Sequence, residues 1–364
     1  MNAPPNRPRW EIGSEFHWWG LPEPPLLRWQ QPAAWYMLAR HAIADLLRAA
    51  PLAGHALWLP TYFCPEVAES CRDICAIREY RDSPDWAEPD WKSLRPDARD
   101  VVLAVNYFGV RAGEAWNLWH RNSGCILLED HSQDPFSSWA MTSTADFVVV
   151  SARKTLPIAD GALLWSPAGR QLPTPPPDGD WNGVALKTAA LILKAEYLRG
   201  RGGPELKTHF RDFQLRGEQM MRRSKISAIS PPSFAYTADG VPMSWRETRA
   251  RNARYLIGKL SNATTMKCLF NNWPAHAVPF ALPILFPTEQ ERDECQSLLR
   301  ENNIYCPVHW VVETADRDAL TLSKRILSLP VDQRYTEIDM DRILEVLAAP
   351  RKQKASVEVS DRCE

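Results

Sequence analysis

Two side chains in the first half of the chain have the types and positions that carbonyl chemistry needs. Residues 145–164 read ADFVVVSARKTLPIADGALL, in which a strand-forming run from Phe147 to Val150 climbs to Ser151 and Lys154, followed by a Pro-containing loop and an Asp-Gly turn. One strand earlier, CILLED ends in Asp130. A lysine amine at a strand mouth can condense with an aldehyde, and a carboxylate beside it can keep a ring nitrogen protonated so that the ring accepts electrons. The bland alternatives are a solvated loop lysine and a loop or capping carboxylate. Against the second, ILLED carries Asp130 to a point where desolvation makes an unpaired charge costly.

The surrounding elements must bring these two groups together. WYMLARHAIADLLRAA (Trp35 to Ala50) has helical spacing and HALWLP (His55 to Pro60) reads as a short strand. DVVLAVNYFG (Asp100 to Gly109), GCILLEDHSQD (Gly124 to Asp134), DFVVVSARK and GALLWS read as further strands, with GEAWNLWHRN (Gly113 to Asn122) as a helix between the first two. Strands alternating with helices predict an α/β fold with a mostly parallel sheet. Ligands of such sheets sit beyond the carboxyl ends of the strands, which gathers Asn106, Asp130, Gln133, Ser151 and Lys154 around one crevice.

The last third mixes helices and strands. AVPFALPILF (Ala277 to Phe286) and YCPVHW (Tyr305 to Trp310) read as strands, and the stretches from Thr288 to Asn303 and Thr336 to Ala349 as helices opened by threonine. A proline-rich connector, Pro173 to Trp181, leads into a long helical region, Asn182 to Arg223. The expected organisation is an N-terminal arm (1–34), a large domain with its helical extension (35–223), a small C-terminal α+β domain (224–350) and a tail (351–364) expected to lack order.

Composition excludes several classes. With 45% hydrophobic and 24% charged residues the chain can bury a sizeable core, and a net charge of −1 supplies no basic field for nucleic acid. The arginine runs at Arg216 to Lys225 and Arg246 to Tyr255 read as solvated helix faces, with phosphate binding as the alternative. The most apolar stretch, Gly183 to Leu198, is interrupted by Lys187 and Lys194, so no membrane span is expected, and the first residues do not read as a signal peptide. The eight cysteines form no C-x-x-C pair and lie at no zinc-ligand spacing, so they read as free thiols in a reducing cytoplasm, and no metal is expected. The sixteen tryptophans are scattered and read as core or interface residues.

The order and texture of these segments resemble the DegT/DnrJ/EryC1/StrS family of pyridoxal phosphate-dependent aminotransferases, within aminotransferase fold type I. LLEDHSQD resembles the acidic motif of that family, VVVSARKTLPIADGALL its Ser-to-Lys segment, LPTYFCPEV the segment after the first large-domain strand, VNYFGV a strand ending in glycine, and RILSLPVDQRYTEIDMDRILEVL its C-terminal signature. The likeness runs from about Glu11 to Leu347.

That resemblance implies pyridoxal 5′-phosphate as cofactor, with Lys154 as the residue joined to its aldehyde and Asp130 at its ring nitrogen. It implies Gln133 near the phenolic oxygen, Tyr62 or Phe63 stacked on the ring, and Ser151 at the phosphate. Where the family has a small Gly-Thr-like pair opening the first helix, this chain has Ala39 and Arg40, and Arg40 is expected to supply a charged phosphate contact instead. Asn106 stands where the family has histidine. His309, Trp310, Trp18 and Trp19 are candidates for the substrate wall, with packing as the alternative, and Asp160 reads as a turn residue.

The implied reaction moves an amino group from an amino acid donor to a keto acceptor, commonly a nucleotide-linked keto-sugar in this family. A lyase, decarboxylase or cyclase using the same cofactor is the alternative, and a non-catalytic scaffold the second. The resemblance also implies a homodimer with a shared active site. The Trp- and Pro-rich arm (Trp10 to Trp29) and the stretch Arg211 to Lys225 read as too poor in apolar periodicity to dock on their own chain, and residues of the latter are expected to reach the partner's cofactor phosphate.

Overall fold

A seven-stranded sheet forms the centre of the larger lobe. In chain order its strands are β1 (Ala33–Tyr36), β2 (Leu57–Pro60), β3 (Ile77–Tyr80), β4 (Val101–Val105), β5 (Ile126–Asp130), β6 (Phe147–Val150) and β7 (Ala162–Trp165), arranged spatially as β1-β7-β6-β5-β4-β2-β3. The computed structural model describes residues 8–49, 52–260, 266–270, 273–274 and 277–349; the expected tail, 351–364, lies outside them. Pairing is parallel from β6 through β3, while β7 runs antiparallel to both β6 and β1.

β4, β6 and β7 are buried along their whole length, as strands covered on both faces must be, and their sequences are accordingly continuous apolar runs. Register aligns the carboxyl ends: Val105 pairs with Asp130 and Asp130 with Val149. Asn106, Asp130 and Ser151 therefore emerge at one level. The turns that follow are two short 3₁₀ segments, Tyr107–Gly109 and Ala152–Lys154.

The expected helix from Trp35 begins later. Tyr36 turns inward on β1 and donates its hydroxyl to Asp45 Oδ2 at 2.7 Å, and helix α1 spans Ala39–Arg48. The aromatic pair Trp35 and Tyr36 fits a half-buried pleat better than a helix face.

The smaller lobe is an antiparallel sheet, β8 (Lys267–Cys268), β9 (Leu282–Leu285) and β10 (Ile326–Leu329), ordered β8-β9-β10. Helices Met243–Leu260, Glu289–Glu301 and Glu337–Ala348 cover it around a separate apolar core. Thr288 caps the second by accepting from Glu291 N at 3.1 Å, and Asp339 accepts from Thr336 N at 2.8 Å at the start of the third. Two expected strands are shorter than their sequences suggest. Residues 277–281 leave the ladder, and Phe280 N donates to Phe108 O in the larger lobe. Beyond Ile304–Tyr305, Pro307 has no N–H to offer and the chain departs toward the crevice with His309 and Trp310.

Both segments expected to need a second subunit dock on their own chain. In the arm, Ile12–Gly13 pairs in parallel with Ile304–Tyr305, Ile12 is fully buried in the small-lobe core, and Trp29 donates Nε1 to Thr237 O at 2.8 Å. Gly13 has φ 79°, and a Cβ there would lie 2.0 Å from Tyr305 O, so this approach requires glycine. The helical extension is a hairpin of Asn182–Leu198 against Glu205–Arg223. Phe210, Gly217 and Met221 supply the buried stripe of its second arm. The apolar positions were few but correctly spaced, and ion pairs supply the rest of the docking. Among the described residues no helix is long and apolar enough to cross a membrane, no metal-binding cluster occurs, and the seven cysteines are free.

Candidate active site

Asp130 ends β5 and is buried. One oxygen, Oδ1, accepts from Ser132 N at 2.8 Å, and among the described residues the carboxylate has no cationic partner. Ser132 in turn accepts from Ser151 N at 2.8 Å, which ties the turn after β5 to the turn carrying Lys154. The Ser151 hydroxyl has no partner among the described residues.

A buried polar chain that sequence reasoning missed holds this strand end. Glu129 Oε1 accepts from Trp139 Nε1 at 2.9 Å and Oε2 lies 2.9 Å from His131 Nε2. The His131 Nδ1 lies 3.2 Å from Asn106 Nδ2, which also donates to Ser137 Oγ at 2.9 Å. An amide nitrogen can only donate, so His131 Nδ1 accepts and its proton sits on Nε2, directed at Glu129. Asn106 Oδ1 accepts from Arg111 N at 3.1 Å. Asn106, expected among the cofactor contacts, therefore spends its amide on positioning the strand ends. The signal was the ED-H spacing of LLEDH, whose alternate residues Glu129 and His131 share one side of the strand.

Gln133 Oε1 accepts from Phe108 N, and its buried Nε2 has no partner among the described residues. Arg40, in the first turn of α1, donates Nη1 to Glu66 Oε2 at 2.6 Å, and its Nη2 is likewise buried without a partner among the described residues. Leu38 caps α1 without a side-chain hydrogen bond, so the Ala39 and Arg40 amides lack intrahelical acceptors. Burial pulls the Arg40 guanidinium pKa down against the pull of Glu66, which also binds Arg222 from the hairpin.

Lys154 Nζ stands 5.5 Å from the centroid of the Trp310 ring. Trp310 is surrounded by Tyr62, Phe63 and Tyr107 at centroid distances of 6.1, 5.8 and 6.4 Å. Tyr62 is fully buried and donates its hydroxyl to His309 O. Tyr62 and Phe63 thus support Trp310, the ring over which Lys154 Nζ stands. His309 is half-buried with Nδ1 3.0 Å from Ser328 Oγ; desolvation and the Lys154 charge push its pKa down to about 3, so it is neutral. Trp18 packs edge-on to Tyr236 and Trp19 against Trp245, anchoring the arm. Asp160 is fully buried and accepts from Ser230 N and Oγ at 2.8 and 2.7 Å, a cross-link between segments and more than a turn residue.

Arg153, beside Lys154, is paired through both nitrogens with Glu218 of the hairpin, which also accepts from Lys187 at 2.6 Å. Next to this clamp a cavity of about 500 Å³ opens between the lobes, and Lys154 and His309 line it.

The residues present fit a phosphorylated pyridine aldehyde. Among the described residues two buried donors, Gln133 Nε2 and Arg40 Nη2, have no partner, the Asp130 carboxylate has an oxygen to spare, and Arg40 belongs to a helix terminus without a side-chain cap.

No family model matches the sequence, and no curated protein is similar to it by sequence. Solved structures are similar in fold. DesV of S. venezuelae superposes with a TM-score of 0.56 at 14% identity, covering 88% of this chain and 84% of its own. NtdA of Bacillus subtilis, solved with bound cofactor PMP, gives 0.56 at 12% identity over 87% and 73%. A DegT DnrJ EryC1 StrS aminotransferase from Brucella abortus gives 0.54 at 16% over 87% and 85%. The chain has the fold type I architecture of pyridoxal phosphate-dependent enzymes, with its mostly parallel seven-stranded sheet.

Proposed function

We propose that this chain is a divergent relative of the DegT/DnrJ/EryC1/StrS proteins and works as a pyridoxal 5′-phosphate-dependent aminotransferase, passing an amino group from an amino acid donor to a keto acceptor. The observation that supports this best is the unpaired carboxylate oxygen of Asp130, one strand away from the loop bearing Lys154. Residues 35–223 form the cofactor-binding domain and 224–350 the small domain, in a biosynthetic enzyme of the cytoplasm that assembles as a homodimer.

When bound, the cofactor supplies an aldehyde and an electron-accepting ring that acidifies the α-carbon of an attached amine. Asp130 keeps the proton on the ring nitrogen. Gln133 Nε2 would donate to the ring oxygen, and Arg40 Nη2, the Ala39 and Arg40 amides and the Ser151 hydroxyl would hold the phosphate. Lys154 Nζ, once its amine is free, would take the α-proton of the donor and carry it to the former aldehyde carbon. Trp310 and the aromatic residues behind it keep water from the lysine side.

Purified protein incubated with pyridoxal phosphate and then with glutamate or glutamine tests the proposal. Conversion of bound cofactor to pyridoxamine phosphate supports it. Cofactor held on Lys154 without conversion favours the lyase, decarboxylase or cyclase alternative, and failure to hold cofactor at all favours a scaffold.

A further inference from the structure

The 500 Å³ cavity beside Lys154 has a composition that bears on what enters it. Of the residues expected around the cofactor, Lys154 alone lines it; Asp130, Gln133, Ser151, Arg40, Tyr62 and Phe63 do not. Lys154 is thus the one residue that the cavity shares with the expected cofactor contacts.

Most of its wall is apolar, with Phe16 and Gly13 from the arm, Leu191 from the hairpin, Ile158 from the lysine loop, and Phe280 and Ile304 from the small lobe. The polar side chains of the wall are nearly all engaged within the protein. Ser14 Oγ accepts from Lys194, and Tyr305 OH accepts from Lys207 at 2.8 Å. Gln296 donates to Cys306 O at 2.8 Å, and Ser328 lies 3.0 Å from His309 Nδ1. Arg249 is spent on Gln333 and Phe280 O, Arg334 on Asp332, Lys187 on Glu15 and Glu218, and Arg153 on Glu218.

Two cations remain. Lys154 is the reactive amine, and Arg300, at the end of helix Glu289–Glu301, is exposed, its carbonyl accepting from Asn303 N at 3.0 Å while its guanidinium has no hydrogen bond or ion pair among the described residues. A guanidinium free at the mouth of an apolar chamber is a site for one carboxylate or phosphate. A hydroxyl-rich body would lose its water without gaining free partners on this wall, whereas an apolar body loses nothing.

We propose that the cavity selects a substrate with an apolar body between its reacting carbon and a terminal anion, the anion held by Arg300. This rests on the aminotransferase proposal for the identity of the reacting end and makes a polyhydroxylated sugar the disfavoured acceptor.

The test measures, by titration calorimetry on the full-length protein with and without prior pyridoxal phosphate loading, the binding of octanoate, octyl phosphate, gluconate and 1-hexanol. Octanoate or octyl phosphate is expected to bind at least tenfold more tightly than gluconate or hexanol, and the tighter of the two identifies the anion. Arg300→Leu is expected to remove that preference while Arg300→Lys keeps most of it; because Arg300 is exposed, both variants should fold, which circular dichroism checks. Gluconate binding as tightly as octanoate, or an unchanged preference in Arg300→Leu, overturns the assignment. So does loss of octanoate binding on cofactor loading, which would make the cavity the cofactor's own. Because the probes do not need turnover, a protein that binds octanoate but never takes up cofactor overturns the aminotransferase proposal alone.

Discussion

Arg153 and Glu218 face each other through two parallel hydrogen bonds of 2.8 and 3.0 Å, so the residue next to the candidate reactive lysine is held by a helix far along the chain. Neighbouring Arg153 and Lys187 hold the Glu218 carboxyl well below the usual range despite its burial. Glu218→Gln leaves two largely buried cations without their shared anion. Since both partners keep some contact with water, a loss of about 2–3 kcal/mol in urea unfolding is expected. The variant should also bind pyridoxal phosphate more weakly while still being labelled at Lys154. Wild-type stability in this variant would show that the clamp is dispensable.

Borohydride treatment of protein incubated with pyridoxal phosphate is expected to fix the label on Lys154. Peptide mapping decides this, and Lys154→Ala should abolish the labelled peptide. A label on Lys187 or Lys194, which are spent in ion pairs with Glu15, Glu218 and Glu11, would reassign the site.

Asp130→Asn keeps the shape of the strand end but cannot hold a proton on a ring nitrogen. Bound cofactor should persist, while single-turnover conversion with glutamate falls by about 100-fold or more, the scale typical of a lost proton-holding group. A rate near that of the wild type would place the ring nitrogen elsewhere.

Acid should destabilise the protein from about pH 6.5 downward. Burial lowers the pKa of His17 and His41 to about 4 and of His309 to about 3. Between those values and 6.5 the unfolded chain binds protons that the folded chain refuses, so stability rises with pH across that window and is lost as pH falls through it. At pH 5 each such histidine costs about 2 kcal/mol relative to neutral pH. Thermal unfolding followed from pH 7.5 to 5 should show a falling Tm, and His309→Asn should flatten the slope; an unchanged slope would mean that the fold does not hold His309 neutral.

The strands were legible because parallel strands buried on both faces must be written as unbroken apolar runs, as Val101–Val105 and Phe147–Val150 are. Asp130 and Lys154 were legible for a related reason, since polar residues directly after such runs have one destination. Trp35 and Tyr36 were misread because aromatic residues at helical spacing also satisfy a short strand. The role of Glu218 depends on a helix folding back over a distant loop, and nothing local in RGEQMM announces an acid meant for Arg153. Trp310 was legible as a candidate wall residue, but its place between Lys154 and Tyr62 arises from the departure of the chain after Pro307, a tertiary event.

The pairing of Ile12–Gly13 with Ile304–Tyr305 has a consequence for synthesis. The larger lobe can condense on the ribosome while the arm that precedes it has no strand to join, because that strand is made almost last. Gly13 to Phe16 consequently wait as unpaired chain until the small lobe emerges, and only then does the chamber beside Lys154 gain its fourth wall. A polypeptide stopped short of Ile304 would carry Asp130 and Lys154 on a finished sheet and still lack the enclosed chamber beside Lys154.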